Sequence, residues 1–159
     1  MKYDVIIIGA GPSGIFCAYE LKRQRPEMKI LMIEKGRSIE KRQCPKRVTK
    51  KCVGCKPCSI TTGFAGAGAF SDGKLSLSPD VGGNLPEILG YDETVSLLKE
   101  SDQIYLDFGA DKNVYGIDKD KEIREIRKKA ITANLKLIEC PIRHLGTEEG
   151  YKIYEKMQH

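Results

Sequence analysis

The stretch "YDVIIIGAGPSGIFCAYELKRQRPEMKILMIE", residues 3–34, constrains this chain more than any other. Tyr3 to Ile8 is a short, β-branched apolar run, the pattern of a parallel strand covered on both faces. "IFCAYELKRQ" then reads as a helix, with Ile15, Ala18 and Tyr19 on one face. Arg25-Pro26 ends it, because a residue before proline disfavours helical backbone. Lys29 to Glu34 is a second buried strand, so the segment predicts a strand–helix–strand crossover.

Between the first strand and the helix lies Gly9-Ala10-Gly11-Pro12-Ser13-Gly14. Gly9 permits a tight turn, Gly11 lets a pyrophosphate approach the backbone, and Gly14 lets helix and strand pack closely. The helix start offers unpaired N–H groups and the positive end of a dipole to an anion. Pro12 suits an early helical position, and Ser13 donates through both its amide and its hydroxyl. Glu34 closes the second strand 20 residues after Gly14. A carboxylate there accepts hydrogen bonds from an adenosine ribose and repels a 2′-phosphate, which disfavours NADP at this site. A turn that binds nothing, with a solvated Glu34, is the competing reading. The strand, glycines, helix and acid together outweigh it. They specify an ADP-containing dinucleotide and leave FAD and NAD open.

A chain of 159 residues is long enough to bury a core. Its net charge of +5 is local in origin: Lys35 to Lys51 holds eight basic residues against one acid, Glu40. No aromatic residues interleave there, so a nucleic-acid platform is not indicated. A solvated basic loop is the preferred reading; a patch for phosphates or for an acidic protein is the second. No segment has the length and apolarity of a membrane span. Asp4 and the early glycines rule out reading the N-terminus as a signal peptide, so a cytoplasmic location is expected.

Cys52, Cys55 and Cys58 are spaced by two residues each, and Cys44 lies upstream. Four such thiols suit an Fe–S cluster or zinc, and the surrounding lysines and arginines favour thiolates. Ordinary loop thiols and a Cys52/Cys55 redox dithiol are the alternatives. Cys17 and Cys140 stand outside the group. The next stretch, "GFAGAGAFSDGKL", concentrates small residues at Ala65, Gly66, Ala67 and Gly68, followed by the polar Ser71, Asp72 and Lys74. Small side chains let main-chain N–H groups reach a ring or phosphate, and Phe64 and Phe70 anchor the loop.

Further on, helices are expected over Glu93–Phe108 and Lys119–Asn134, a strand over Leu135–Glu139, and a last helix with Thr147 as its N-cap. The expected organisation is an N-terminal unit of residues 1–78 with the Cys-rich and Gly-rich loops, then a mainly helical segment of residues 79–159. The fold class is α/β: an incomplete Rossmann-like dinucleotide-binding crossover followed by that helical segment.

"DVIIIGAGPSGIFCAYEL", "IEKG", the Cys-x-x-Cys-x-x-Cys stretch, "GAGAFSDGKL" and "PIRHLGT" together resemble the N-terminal part of the FAD-dependent dehydrogenases of bacteria and archaea, distantly similar to glutathione-reductase-like flavoproteins. Ala65 departs from that pattern, where the family usually has glycine. The resemblance implies FAD at this turn, with Gly9, Gly11, Pro12, Ser13 and Gly14 at the pyrophosphate and Glu34 and Lys35 at the adenosine. It sets Gly66, Ala67, Gly68, Ser71 and Asp72 along the flavin, and NAD(P) as a donor elsewhere. It implies no secure substrate or catalytic residue; Arg143 and His144 match its "RHLGT" stretch, and His144 has a reference pKa near neutral. Family members are several times longer, so the chain is expected to be an N-terminal fragment, inactive alone, whose partner is the rest of the same protein. The expectation is an FAD-dependent oxidoreductase portion; an NAD-binding dehydrogenase half and a non-enzymatic cysteine–metal module are its rivals.

Overall fold

The computed structural model describes residues 2–159. In chain order the elements are β1 (Val5–Ile8), α1 (Pro12–Gln24), β2 (Ile30–Ile33), α2 (Lys46–Thr49), β3 (Lys74–Ser76), α3 (Leu85–Leu89), α4 (Tyr91–Asp107), β4 (Val114–Tyr115), α5 (Asp120–Thr132), β5 (Ile142–His144) and α6 (Thr147–Gln158). Single 3-10 turns occupy Ile39–Lys41 and Ala67–Phe70. The protein is mixed α/β, with a two-stranded parallel sheet and a three-stranded antiparallel one.

The crossover forms where the sequence predicts it. β1 and β2 pair in parallel, from Val5 opposite Ile30 to Ile8 opposite Ile33. The Asp4 carboxylate accepts the Lys29 N–H at 2.8 Å and so fixes the register at the strand starts. Helix α1 begins at Pro12, ahead of the apolar periodicity, because proline carries the φ of a first helical residue and has no N–H to leave unpaired. It ends at Arg25, before Pro26, with the Arg25 N–H on the Leu21 carbonyl at 2.8 Å. Coverage of the strands differs from expectation. Val5 and Ile7 are half-buried, but Ile6 and Ile8 on the opposite face are 58% and 86% exposed.

The chain divides into two compact units. The first comprises residues up to Gly73 together with Gly146–His159. Its core is built from Ala10, Ile15, Ile39, Phe64, Ala65, Ala69, Ile153 and Tyr154, all buried. Helix α6 belongs here because Ile153 and Tyr154 face inward while Gln158 bonds the turn at Ile39: its Oε1 accepts the Ile39 N–H at 2.8 Å, and its Nε2 donates to Glu40 at 2.9 Å. The division expected at residue 78 differs on both counts: the first unit stops at Gly73 and regains the C-terminal helix. Residue 147 is not the cap but the first helical residue; Gly146, at φ +69°, precedes it.

The second unit, Lys74–Leu145, is not simply helical. β5 is the central strand of its sheet, antiparallel to β3 through Leu75 opposite Arg143 and to β4 through Val114 opposite Arg143. The strand expected at Leu135–Glu139 is absent: the Leu135 N–H still closes the end of α5 on the Ala130 carbonyl at 2.8 Å, and its side chain is exposed. The strand appears three residues later, where Arg143 supplies an anchor. The residue is 4% exposed. Nε and Nη2 donate to the two oxygens of Asp102 on α4 at 2.5 and 2.8 Å, and Nη1 donates to the Asp111 carbonyl at 2.5 Å. A bidentate pair of this kind fixes orientation as well as energy, and Asp102 holds the guanidinium even more firmly protonated than usual. Removing one partner of such a pair leaves a buried charge unpaired. Arg143→Ala is therefore expected to destabilise the protein by about 3 kcal/mol, measured by urea unfolding; a loss below about 1 kcal/mol would contradict this anchoring role.

Candidate functional site

The Gly9–Gly14 turn sits at the carboxyl ends of β1 and β2. Gly9 has φ +98°, a conformation open to glycine, and its N–H donates to the Ile33 carbonyl at 2.7 Å. At Gly14 an added Cβ would lie 2.1 Å from the Gly9 carbonyl oxygen, so only glycine lets α1 start so close to β1. Gly11 differs: its φ is −75°, and a Cβ there would meet nothing within 4 Å. The Ile15 N–H, on the Gly11 carbonyl at 3.0 Å, is the first bond of the helix ladder. The Ser13 and Gly14 amides ahead of it have no partner within the helix, no side chain caps them, and Ser13 is exposed. The turn thus has both the open space and the donors that a pyrophosphate requires.

Glu34 is part of this turn rather than a free acceptor beside it. Its Oε2 accepts the Ala10 N–H at 2.8 Å and its Oε1 the Gly36 N–H at 2.8 Å. The Ala10 amide, then that of Gly36, holds the carboxyl below the usual carboxylate range against the opposing effect of burial. The Gly63 amide also contributes to holding the carboxylate. Lys35, next in sequence, is exposed.

The Gly-rich loop returns to the same place from 55 residues further along the chain. The Ala65 N–H donates to the Ala10 carbonyl at 2.7 Å. A Cβ on Gly66 would come within 3.5 Å of Gly11 Cα and 3.6 Å of Pro12 Cδ, so Gly66 lies directly against the turn. Ala65 takes φ +67°, which explains why glycine suits the position. Beyond Gly66 the loop heads elsewhere. Ala67, Gly68, Ser71 and Asp72 are exposed; Gly68 approaches Tyr154 of α6, and the Thr147 hydroxyl donates to the Ser71 carbonyl at 3.4 Å. The Ser71 hydroxyl is occupied within its own turn, donating to the Gly68 carbonyl at 2.8 Å. Gly66 thus lies at the turn, while Gly68 and Ser71 lie beside α6.

Arg42 holds this loop, and sequence reasoning missed it. Its side chain is buried and donates to four carbonyls: Nε to Ser59 at 3.0 Å, Nη2 to Ile60 at 2.7 Å, and Nη1 to Phe64 at 2.5 Å and Gly66 at 2.7 Å. The guanidinium also stacks on Phe70, 4.7 Å from the ring centre. In sequence it is one of eight cations in a basic run, and nothing marks it as the buried one.

The structure does not assemble the cysteines. Among the described residues no group of three or more His, Cys, Asp or Glu side chains is arranged to hold a metal ion, so Cys44, Cys52, Cys55 and Cys58 do not form the ligand set expected from their spacing. Cys52 and Cys58 are exposed, Cys44 and Cys55 half-buried, and all six cysteines are free. The loop is ordered by Arg42 and by main-chain bonds such as Thr62 N–H to the Cys58 carbonyl (2.9 Å). Backbone amides of Ile60 and Thr61 lower the pKa of Cys58. His144 is exposed on β5, edge-on to Tyr115 at 6.4 Å, in the second unit.

Comparison with known proteins bears on the turn. The Thi4 family profile matches residues 1–40. The thiamine thiazole synthases of Coprinopsis cinerea and of Phaeosphaeria nodorum are each 54% identical to this chain over 33 residues, 21% of this chain and 10% of theirs. The chain thus matches about a tenth of the length of these curated relatives. No solved structure gives a significant match.

Two outcomes follow. Arg42→Lys cannot span four carbonyls, and the loss is expected to be on the order of 2 kcal/mol in chemical unfolding; an unchanged midpoint would show that the loop holds itself. The carboxyls of Glu34 and Glu40 are both depressed in the folded state, Glu40 to about 2 by the Ser38 hydroxyl first and by Gln158. Their contribution is complete above the unfolded value of about 4.3 and fades as pH falls through the folded values. Tm should hold steady down to about pH 5 and then drop. The Glu34→Gln variant, less stable at neutral pH, should lose less on acidification; a parallel drop would sink the assignment.

Proposed function

We propose that residues 3–73 are the dinucleotide-binding start of a Rossmann-like flavoprotein, an FAD-dependent oxidoreductase of the dehydrogenase type. The observation that carries the reading is the convergence of Gly11, Gly66 and Glu34 at the carboxyl end of a parallel β1–α1–β2 crossover. An anion at Gly11 meets free amides and the positive end of α1, and the open space at Gly11 admits it. Glu34, anchored by backbone amides, would give its remaining acceptor capacity to a ribose hydroxyl. Gly66, with no side chain, leaves the turn accessible from the loop side. The bound flavin would supply hydride or electron transfer; the residues named here would bind and orient it.

The short matches to the Thi4 family and to thiamine thiazole synthases support a nucleotide-binding N-terminal segment, since they cover the same crossover and turn. The exposed Ile6, Ile8 and Ile33 favour a further layer from the same protein on that sheet face, and free cysteines favour a reducing, cytoplasmic setting. NAD at the same turn is the second reading, favoured by the ribose-binding acid.

Titration of FAD with the protein, followed by flavin fluorescence, tests the proposal. Binding should quench the flavin, and Gly11→Val should weaken it at least about tenfold while leaving Tm unchanged, because the added side chain enters open space. Stabilisation by NAD without any effect of FAD would favour the second reading. Equal FAD binding by the variant would refute the turn as the site.

A further inference from the structure

We propose that the cavity beside residues 35–37 is a second ligand site in the first unit, built for the dianionic head of a phosphate compound and distinct from the dinucleotide turn. The cavity has a volume of about 330 Å³. That is at the small end for ligand pockets, enough for a phosphate or a small phosphomonoester but not a dinucleotide.

Its charge is one-sided. Lys35, Arg37 and Lys56 line it, and no Asp or Glu does, in a chain with 22 acids. None of the three cations makes an ion pair among the described residues. Three unpaired positive charges around one concavity raise the local concentration of anions. Ser59 and Thr62 also line it, and their hydroxyls are the kind of neutral donor that completes a phosphate's hydrogen bonds.

The frame is set before any ligand arrives. The Gly36 amide is fixed on Glu34, the Arg37 carbonyl accepts the Phe64 N–H at 3.0 Å, and the Thr62 N–H is held on the Cys58 carbonyl. The Ser59 carbonyl is among those gripped by Arg42. Binding therefore orders only the side-chain ends, which keeps its entropic cost small. Lys35 and Arg37 of the basic run and Cys55 and Lys56 of the cysteine stretch thus line one cavity. None of Gly9, Gly11 or Gly14 lines the cavity, but Lys35, which the resemblance sets at the adenosine, does, so the ADP arm of the experiment below separates this site from the dinucleotide site.

Cys55 supplies the reporter. It is half-buried and lines the cavity, whereas Cys52 is exposed and does not. The experiment measures alkylation of both thiols in the intact chain by neutral iodoacetamide, read by peptide mass spectrometry, with inorganic phosphate exchanged against chloride at constant ionic strength. Phosphate should slow the modification of Cys55 about tenfold at saturation and leave Cys52 unchanged. The double variant Arg37→Gln/Lys56→Gln should need at least about tenfold more phosphate for the same protection, with Tm unaltered. Glycerol phosphate protecting at lower concentration than inorganic phosphate identifies an organic phosphate as the ligand; equal potency identifies free phosphate. Protection by ADP without protection by phosphate would assign the cavity to the dinucleotide and overturn the proposal. So would Cys55 rates that ignore phosphate, or protection that survives in the double variant.

Discussion

A single guanidinium carries the organisation of the first unit. Arg42 is buried, and its donors reach the carbonyls of Ser59, Ile60, Phe64 and Gly66. A loop dense in glycine has few side chains with which to pack and loses much conformational entropy when ordered. A planar donor array that bonds several carbonyls at once offsets that cost from one fixed point. Phe70 closes over the guanidinium, so the cation is compensated by an aromatic face and by carbonyl dipoles, with the Glu34 charge nearby. The loop is thereby pressed against the Gly9–Gly14 turn, where Ala65 bonds Ala10.

The turn and the loop share their acid as well. Glu34 ends β2, but its oxygens are spent on the amides of Ala10 and Gly36, which lie before and after it in the chain. The same carboxylate therefore shapes the turn and fixes the start of the basic run. The carboxylate thus does structural work at both ends, holding the turn at Ala10 and the start of the basic run at Gly36. The second unit repeats the device: Arg143, paired to Asp102 and to the Asp111 carbonyl, joins the central strand to α4.

The crossover could be read from residues 3–34 because each of its signals is local: β-branched runs, glycines at fixed offsets, a proline at the helix start and another past its end. The same holds for α4 and α5, whose periodicity matches their observed spans within a few residues. The three-stranded sheet could not be read this way. Its strands are two or three residues long, and they pair across separations of about 70 and about 30 residues, with no turn signal joining them. An apolar run at Leu135–Glu139 looked more strand-like than Ile142–His144, but the end of α5 still claims Leu135 and the buried Arg143 decides the register.

The sequence by itself determined the strand–turn–helix–strand unit, the glycines that only a close approach requires, and the acid at the end of β2, since neighbouring residues set each of these. Only the tertiary structure decided which cation of the basic run is buried, that Gly66 lies against the turn, and that among the described residues the cysteines gather into no metal-binding group despite their spacing. It also returned helix α6 to the first unit through Gln158 and Ile39, 119 residues apart in the chain. Those outcomes depend on which distant carbonyls and amides find each other, and a pattern of residue types along the chain carries no record of that.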